Sequence, residues 1–200
     1  NLLVPGMGIR AATLFFRKAK MKQKPAQKVL ILLFWVILVG AGSSIPFLFE
    51  SPSIFYKTGL DKFLLRAGKI VGILAVVLIF TQLVLISRFQ LLHRLFQNKR
   101  LYQYHRVNGL LLAVAALVHP VLILGADHFV FFPFTARYWP EITGVVLLVF
   151  LVGFVWISVR REKLKISYPL WKRLHRTGAL IIVILGFVHV FNVSQPFGSG

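Results

Sequence analysis

The chain has no cysteine. That absence removes disulfides, thiolate-held metals and iron–sulfur clusters carried by its own residues. Acidic residues are scarce, 5 against 24 Lys and Arg among 200 residues, for a net charge of +19. Such an excess can mark a nucleic-acid binder. Here, however, the basic residues lie in short segments between long apolar runs, as in the cytoplasmic loops of a membrane protein, so no nucleic-acid partner is expected. A Gly-rich dinucleotide fingerprint is missing, as are low-complexity tracts and a cleavable signal peptide. The sequence opens on Asn1 and stops at Gln195-Pro196-Phe197-Gly198-Ser199-Gly200, which fits a fragment of a longer polypeptide.

What the sequence does have is apolar length. Hydrophobic residues make up 58% of it and the mean hydropathy is +0.78. Five segments can cross a bilayer: 29–49, 70–87, 107–124, 142–159 and 177–193. Each approaches the roughly 20 residues a hydrocarbon core requires. None alternates with the period of two of a barrel strand, so the spans are helices. The expected fold is an all-α integral membrane protein, a bundle of about five transmembrane helices in contact with lipid.

Lys and Arg divide unequally between the two sides. One side takes Arg10, Arg17, Lys18, Lys20, Lys22, Lys24, Lys28, Arg88, Arg94, Lys99, Arg100, Arg106, Arg160, Arg161, Lys163, Lys165, Lys172, Arg173 and Arg176, a total of 19. The other takes Lys57, Lys62, Arg66, Lys69 and Arg137, a total of 5, with Glu50, Asp61, Asp127 and Glu141. The positive-inside rule then sets the N-terminus in the cytoplasm of a multi-pass cell-membrane protein, with a bacterial inner membrane the expected location. Spans three and five run parallel, from inside to outside. Residues 1–26 form a basic N-terminal segment, 27–195 the membrane domain and 196–200 a tail. Leu14-Phe15-Phe16 beside Arg17, Lys18 and Lys20 can make an interfacial amphipathic helix or part of a disordered basic arm.

Four of the six histidines pair. His105 and His119 are 14 residues apart on the third helix, and His175 and His189 are 14 apart on the fifth. At about 100° per residue the second ring returns to within about 40° of the first, about 21 Å along the axis. Each helix thus presents one imidazole near each side of the membrane, and two parallel helices make two facing pairs. Each pair can hold a haem iron from both axial sides, giving two b-type haems. The alternative is a polar residue satisfied inside a bundle, but ionisable groups in spans suggest function by default, and two identical spacings on parallel spans are hard to obtain by accident. A bare ion is a weaker fit, because the pairs are too far apart to share one and no carboxylate lies within these spans.

Neighbouring residues bear on the same question. Gly109, Ala115, Ala116, Gly178 and Gly186 sit on or near the ligand faces; they can make room for a porphyrin or simply let helices approach. Arg106 and Arg176 follow the inner histidines and are candidate partners of haem propionates, or else ordinary positive-inside charges. Arg137 and His128 are the outer candidates. His93 falls in the loop before span three and reads as solvated.

The segments Tyr104-His105-Arg106-Val107-Asn108-Gly109 to Val118-His119-Pro120, and Trp171-Lys172-Arg173-Leu174-His175-Arg176-Thr177-Gly178 to Val188-His189-Val190-Phe191, resemble the ferric reductase-like transmembrane domain. That family includes NADPH oxidases, ferric-chelate reductases and the haem-bearing membrane subunit of a bacterial methionine-sulfoxide repair system. The resemblance covers about 27–195. It implies electron transfer from a cytoplasmic flavin, fed by NAD(P)H, across two haems to an acceptor outside. His105 and His175 would hold the inner haem, His119 and His189 the outer. Family members usually have a sixth span, and many have a flavin- and nicotinamide-binding domain. Neither is found in these 200 residues, so FAD and NAD(P)H are expected only through a missing domain or a partner subunit.

Three functions are weighed on this basis. The first is the membrane core of an oxidoreductase reducing ferric iron, oxygen or a periplasmic partner. The second is a haem-bearing anchor that relays electrons without its own substrate site. The third, a proton-handling transporter, fits poorly without an acidic relay partner in the spans. The ascorbate-reducing b-type cytochromes spread their ligands over four helices and fit less well than a family with all four on two. The outer aromatic stretch of Phe129, Phe131, Phe132, Phe134, Tyr138 and Trp139 is expected at the membrane interface.

Overall fold

The structure, a computed structural model, describes residues 25–49, 52–87, 90–96, 98–130, 135 and 138–193. Every regular element among them is an α-helix: α1 (Pro25–Leu48), α2 (Pro52–Phe55), α3 (Gly59–Ile86), α4 (Gln90–Leu95), α5 (Asn98–Gly125), α6 (Trp139–Arg160) and α7 (Tyr168–Val193). Five of these, α1, α3, α5, α6 and α7, are long and apolar enough to cross a membrane, as the apolar runs predict. The basic segment before Pro25, with Leu14-Phe15-Phe16, lies outside the described residues, as do Glu50, Arg88, Phe131, Phe132, Phe134, Arg137 and the tail after Val193. His93 lies in α4, and its side chain is also outside the description.

The helices run well past the hydropathy segments. α3 starts at Gly59, α5 at Asn98 and α7 at Tyr168, each about two to three turns before the corresponding apolar run. Hydropathy detects only the length immersed in hydrocarbon, whereas a helix continues until its backbone hydrogen bonds end. The overhang brings His105 and His175 onto rigid helix. α6 is better delimited. Pro140 occupies its first turn, Glu141 complements the N-terminal dipole and Arg160 the C-terminal one.

Close packing joins α5 to α3, α7 to α6, and α1 to α3. α5 and α7, which carry the paired histidines, each lean mainly on a different neighbour. Between the two histidine levels lies an apolar layer of buried Leu112, Leu151 and Ile182, backed by Ala75, Leu78, Ile79, Phe150 and Phe154. Leu112 is seven residues from each of His105 and His119, and Ile182 seven from each of His175 and His189. Two turns of helix carry each of these side chains back to nearly the ligand face.

Polar side chains in the bundle bond backbone. Buried Asn108 donates from Nδ2 to the Leu78 carbonyl at 2.9 Å, tying α5 to α3. Such contacts average about 0.6 kcal/mol in a membrane bundle and reach about 2. Thr81 and Thr143 donate back to their own helices. At the far end, Lys57 donates to the Ala126 carbonyl at 2.6 Å and pairs with Asp127 at 2.7 Å. Ile54 and Ala126 beneath are fully buried with Leu65, so the turn carrying α2 is pinned on the end of α5.

Candidate functional site

The four paired histidines fall at two levels. The terms inner and outer follow the charge count. At the outer level His119, on α5, places Nδ1 2.8 Å from the Gly68 carbonyl of α3. His189, on α7, places Nδ1 2.9 Å from the Pro140 carbonyl of α6. A carbonyl oxygen only accepts, so each Nδ1 carries a proton, and Nε2 is the nitrogen left to offer a lone pair to a metal.

Each of these contacts depends on a glycine one turn further along the neighbouring helix. A Cβ on Gly72 would stand 2.9 Å from Cε1 and Nδ1 of His119. A Cβ on Gly144 would stand 2.6 Å from Cε1 and 2.9 Å from Nδ1 of His189. In both cases the carbonyl is at position i and the glycine at i+4, on one face of the helix, so the Nδ1–Cε1 edge of the imidazole sits close against bare backbone.

The inner level is built differently. The rings of His105 and His175 have centroids 6.1 Å apart and planes at 71°. His175 lies between Trp171 and Phe154, each stacked at 4.9 Å. Its Nδ1 meets the Ser158 hydroxyl at 3.3 Å. Arg161 covers the outer face of that stack, 5.1 Å from the Trp171 ring and 5.7 Å from that of Tyr168. On the opposite helix Gln82 donates from Nε2 to the His105 carbonyl at 3.0 Å. Nδ1 of His105, Oε1 of Gln82 and Nε1 of Trp171 are buried without a hydrogen-bond partner.

A family model for the ferric reductase like transmembrane component matches residues 71–186. The chain belongs to this family. Membership marks it, at the coarse level, as a transmembrane electron-transfer component. The matched range includes His105, His119 and His175 and ends three residues before His189. No match was found to a curated protein or to a solved structure.

Ferric reductase-like domains imply haem, and the residues present fit it. An imidazole nitrogen lies roughly 2 Å from a bound transition metal. Two rings facing one iron from opposite sides therefore have centroids about 6 Å apart, in agreement with the inner pair. Both outer histidines offer an Nε2 lone pair, as a metal ligand must. Among the described residues no three or more His, Asp or Glu side chains gather. Two nitrogens per level suit an iron already held in four positions by a macrocycle better than a bare ion.

Other expected site residues fall as follows. Arg106 and Arg176 are exposed on α5 and α7. His128 is a surface residue, 79% exposed at its side chain and 3.3 Å from Asp61. The glycines of the ligand helices border neighbouring side chains: a Cβ on Gly109 would meet Gln82 and one on Gly178 the Phe154 ring, while Gly186 has only ordinary contacts. The glycines that matter to the outer rings are Gly72 and Gly144 on the neighbouring helices, which sequence reasoning missed. It also missed Gln82, Ser158 and Trp171. The signal for the first two is a polar side chain inside an otherwise apolar span.

Proposed function

We propose that this domain, residues 27–195, carries electrons across the cell membrane through two b haems, the inner held by His105 and His175 and the outer by His119 and His189. The donor is a flavin and NAD(P)H domain or subunit on the cytoplasmic side, where the N-terminus also lies. The acceptor outside is ferric iron, oxygen or a periplasmic partner. One observation supports the reading: His119 and His189 each give Nδ1–H to a carbonyl of a neighbouring helix, which leaves Nε2 of both rings available as an iron ligand.

Bound there, haem supplies a one-electron iron couple inside the bilayer. The chain does the rest. His105 with His175, and His119 with His189, would hold the iron from both sides and leave no open position, which would favour electron exchange over ligand binding. Leu112, Leu151 and Ile182 keep the space between the levels apolar and exclude water and ions. Arg106 and Arg176, one residue after the inner ligands and exposed, would neutralise propionates on the basic side.

The test uses liposomes loaded with ferricyanide, an impermeant oxidant, and given dithionite outside. Bleaching of the enclosed ferricyanide should require the haem-loaded protein and vanish in His119→Ala. Bleaching no faster than in protein-free liposomes would refute the reading.

A further inference from the structure

We infer that Gln82 is a positioning residue for the inner haem ligand, its side-chain amide holding His105 at both backbone and ring. The inference rests on the haem reading above and adds to it the group that orients His105.

Three of the four histidine rings have an Nδ1 partner: Gly68 for His119, Pro140 for His189 and Ser158 for His175. His105 is the exception, with Nδ1 buried and unpaired. A buried N–H left unsatisfied costs about 1–3 kcal/mol. The complementary atom, Oε1 of Gln82, is likewise buried and unpaired. It belongs to the amide whose Nε2 already donates to the His105 carbonyl at 3.0 Å. One donor and one acceptor, both orphaned, thus belong to two residues already joined by the bond from Gln82 Nε2 to the His105 carbonyl. Ligating imidazoles regularly give their second N–H to such an acceptor, which fixes the ring and raises its basicity.

The local backbone supports the same role. The His105 carbonyl is at position i and Gly109 at i+4, repeating the arrangement of Gly68 with Gly72 and of Pro140 with Gly144. A Cβ on Gly109 would stand 2.7 Å from Gln82 Nε2. A groove opened by glycine receives an imidazole at the two outer positions and the Gln82 amide at this inner one. A glutamine inside a span that needed only apolar packing would be costly.

The experiment compares Gln82→Met with Gln82→Glu in the full haem-loaded chain. Met fills the space without an acceptor, whereas Glu keeps an acceptor oxygen. Haem content is counted, and the midpoint potential is read for the component lost in His105→Ala. Gln82→Met should weaken retention of the inner haem about 10–100-fold and raise its potential, because a less basic imidazole stabilises the ferric form less. The outer haem should not change. Gln82→Glu gives up the bond to the His105 carbonyl but keeps the acceptor for the ring, and should retain the inner haem better than Gln82→Met, with its potential equal to wild type or lower. Gly109→Ala leaves Gln82 in place but displaces its amide, and should shift the potential in the same direction as Met; it decides the matter if Gln82→Met does not fold. Equal behaviour of Met and Glu, or a wild-type inner haem in Gln82→Met or Gly109→Ala, overturns the inference. A wild-type chain with two haems indifferent to Gln82 refutes only this role, whereas folded wild type without haem refutes the parent reading.

Discussion

The outer histidines are held by main chain and the inner ones by side chains. At the outer level, carbonyls of Gly68 and Pro140 take both Nδ1 protons, and Gly72 and Gly144 clear the path. At the inner level, Ser158, Trp171 and Phe154 meet the His175 ring, and Gln82 bonds the His105 carbonyl. A carbonyl cannot be mutated away, so the outer level resists tuning and responds mainly to loss of space. The inner level, which in the proposed function is the one nearer the electron donor, is adjustable residue by residue. Its surroundings offer a way to set one potential without disturbing the other.

The comparison can be broken at either level. Removing a ligand has the largest effect. His119→Ala should lose one of two haems and abolish transmembrane transfer while the inner haem remains, as counted by absorbance per chain. Gly144→Ala should come next. A Gly→Ala change inside a helix usually gains about 0.5–1 kcal/mol. Here the new Cβ falls 2.6 Å from a ring pinned by its own hydrogen bond, and overpacking costs about 1–3 kcal/mol before that bond is lost. Outer-haem retention should fall by about tenfold or more, since about 1.4 kcal/mol corresponds to a factor of ten. Gly72→Ala, with its closest approach at 2.9 Å, should do the same more weakly. Ser158→Ala should be mildest. Its contact with His175 is long at 3.3 Å, and an ordinary hydrogen bond is worth about 0.5–1.5 kcal/mol. Inner-haem affinity should drop by less than about tenfold, with a slightly raised potential in a redox titration. A shift of the outer potential instead would invert the assignment of levels.

Much of this architecture is legible in the sequence, for identifiable reasons. Five spans are visible because bilayer thickness sets a minimum apolar length. The pairing of His105 with His119 and of His175 with His189 is visible because 14 residues nearly close four helical turns. Helix starts are not legible. The overhangs before 70, 107 and 177 are polar helix, which hydropathy cannot distinguish from loop. The outer anchors are hidden for a deeper reason. A carbonyl has no letter of its own, and Gly72 and Gly144 act through the absence of a side chain on a helix other than the ligand's. Gly109 and Gly178 sit beside ligands in the sequence, and the structure gives them to Gln82 and Phe154 instead. Proximity along one helix does not reveal which helix lies opposite.

The account stands on haem stoichiometry. Purified chain, analysed by reduced-minus-oxidised spectra with haem and protein quantified in the same sample, should contain two low-spin b haems per polypeptide. Well-folded protein without haem, or with two haems that both survive His119→Ala, would contradict it.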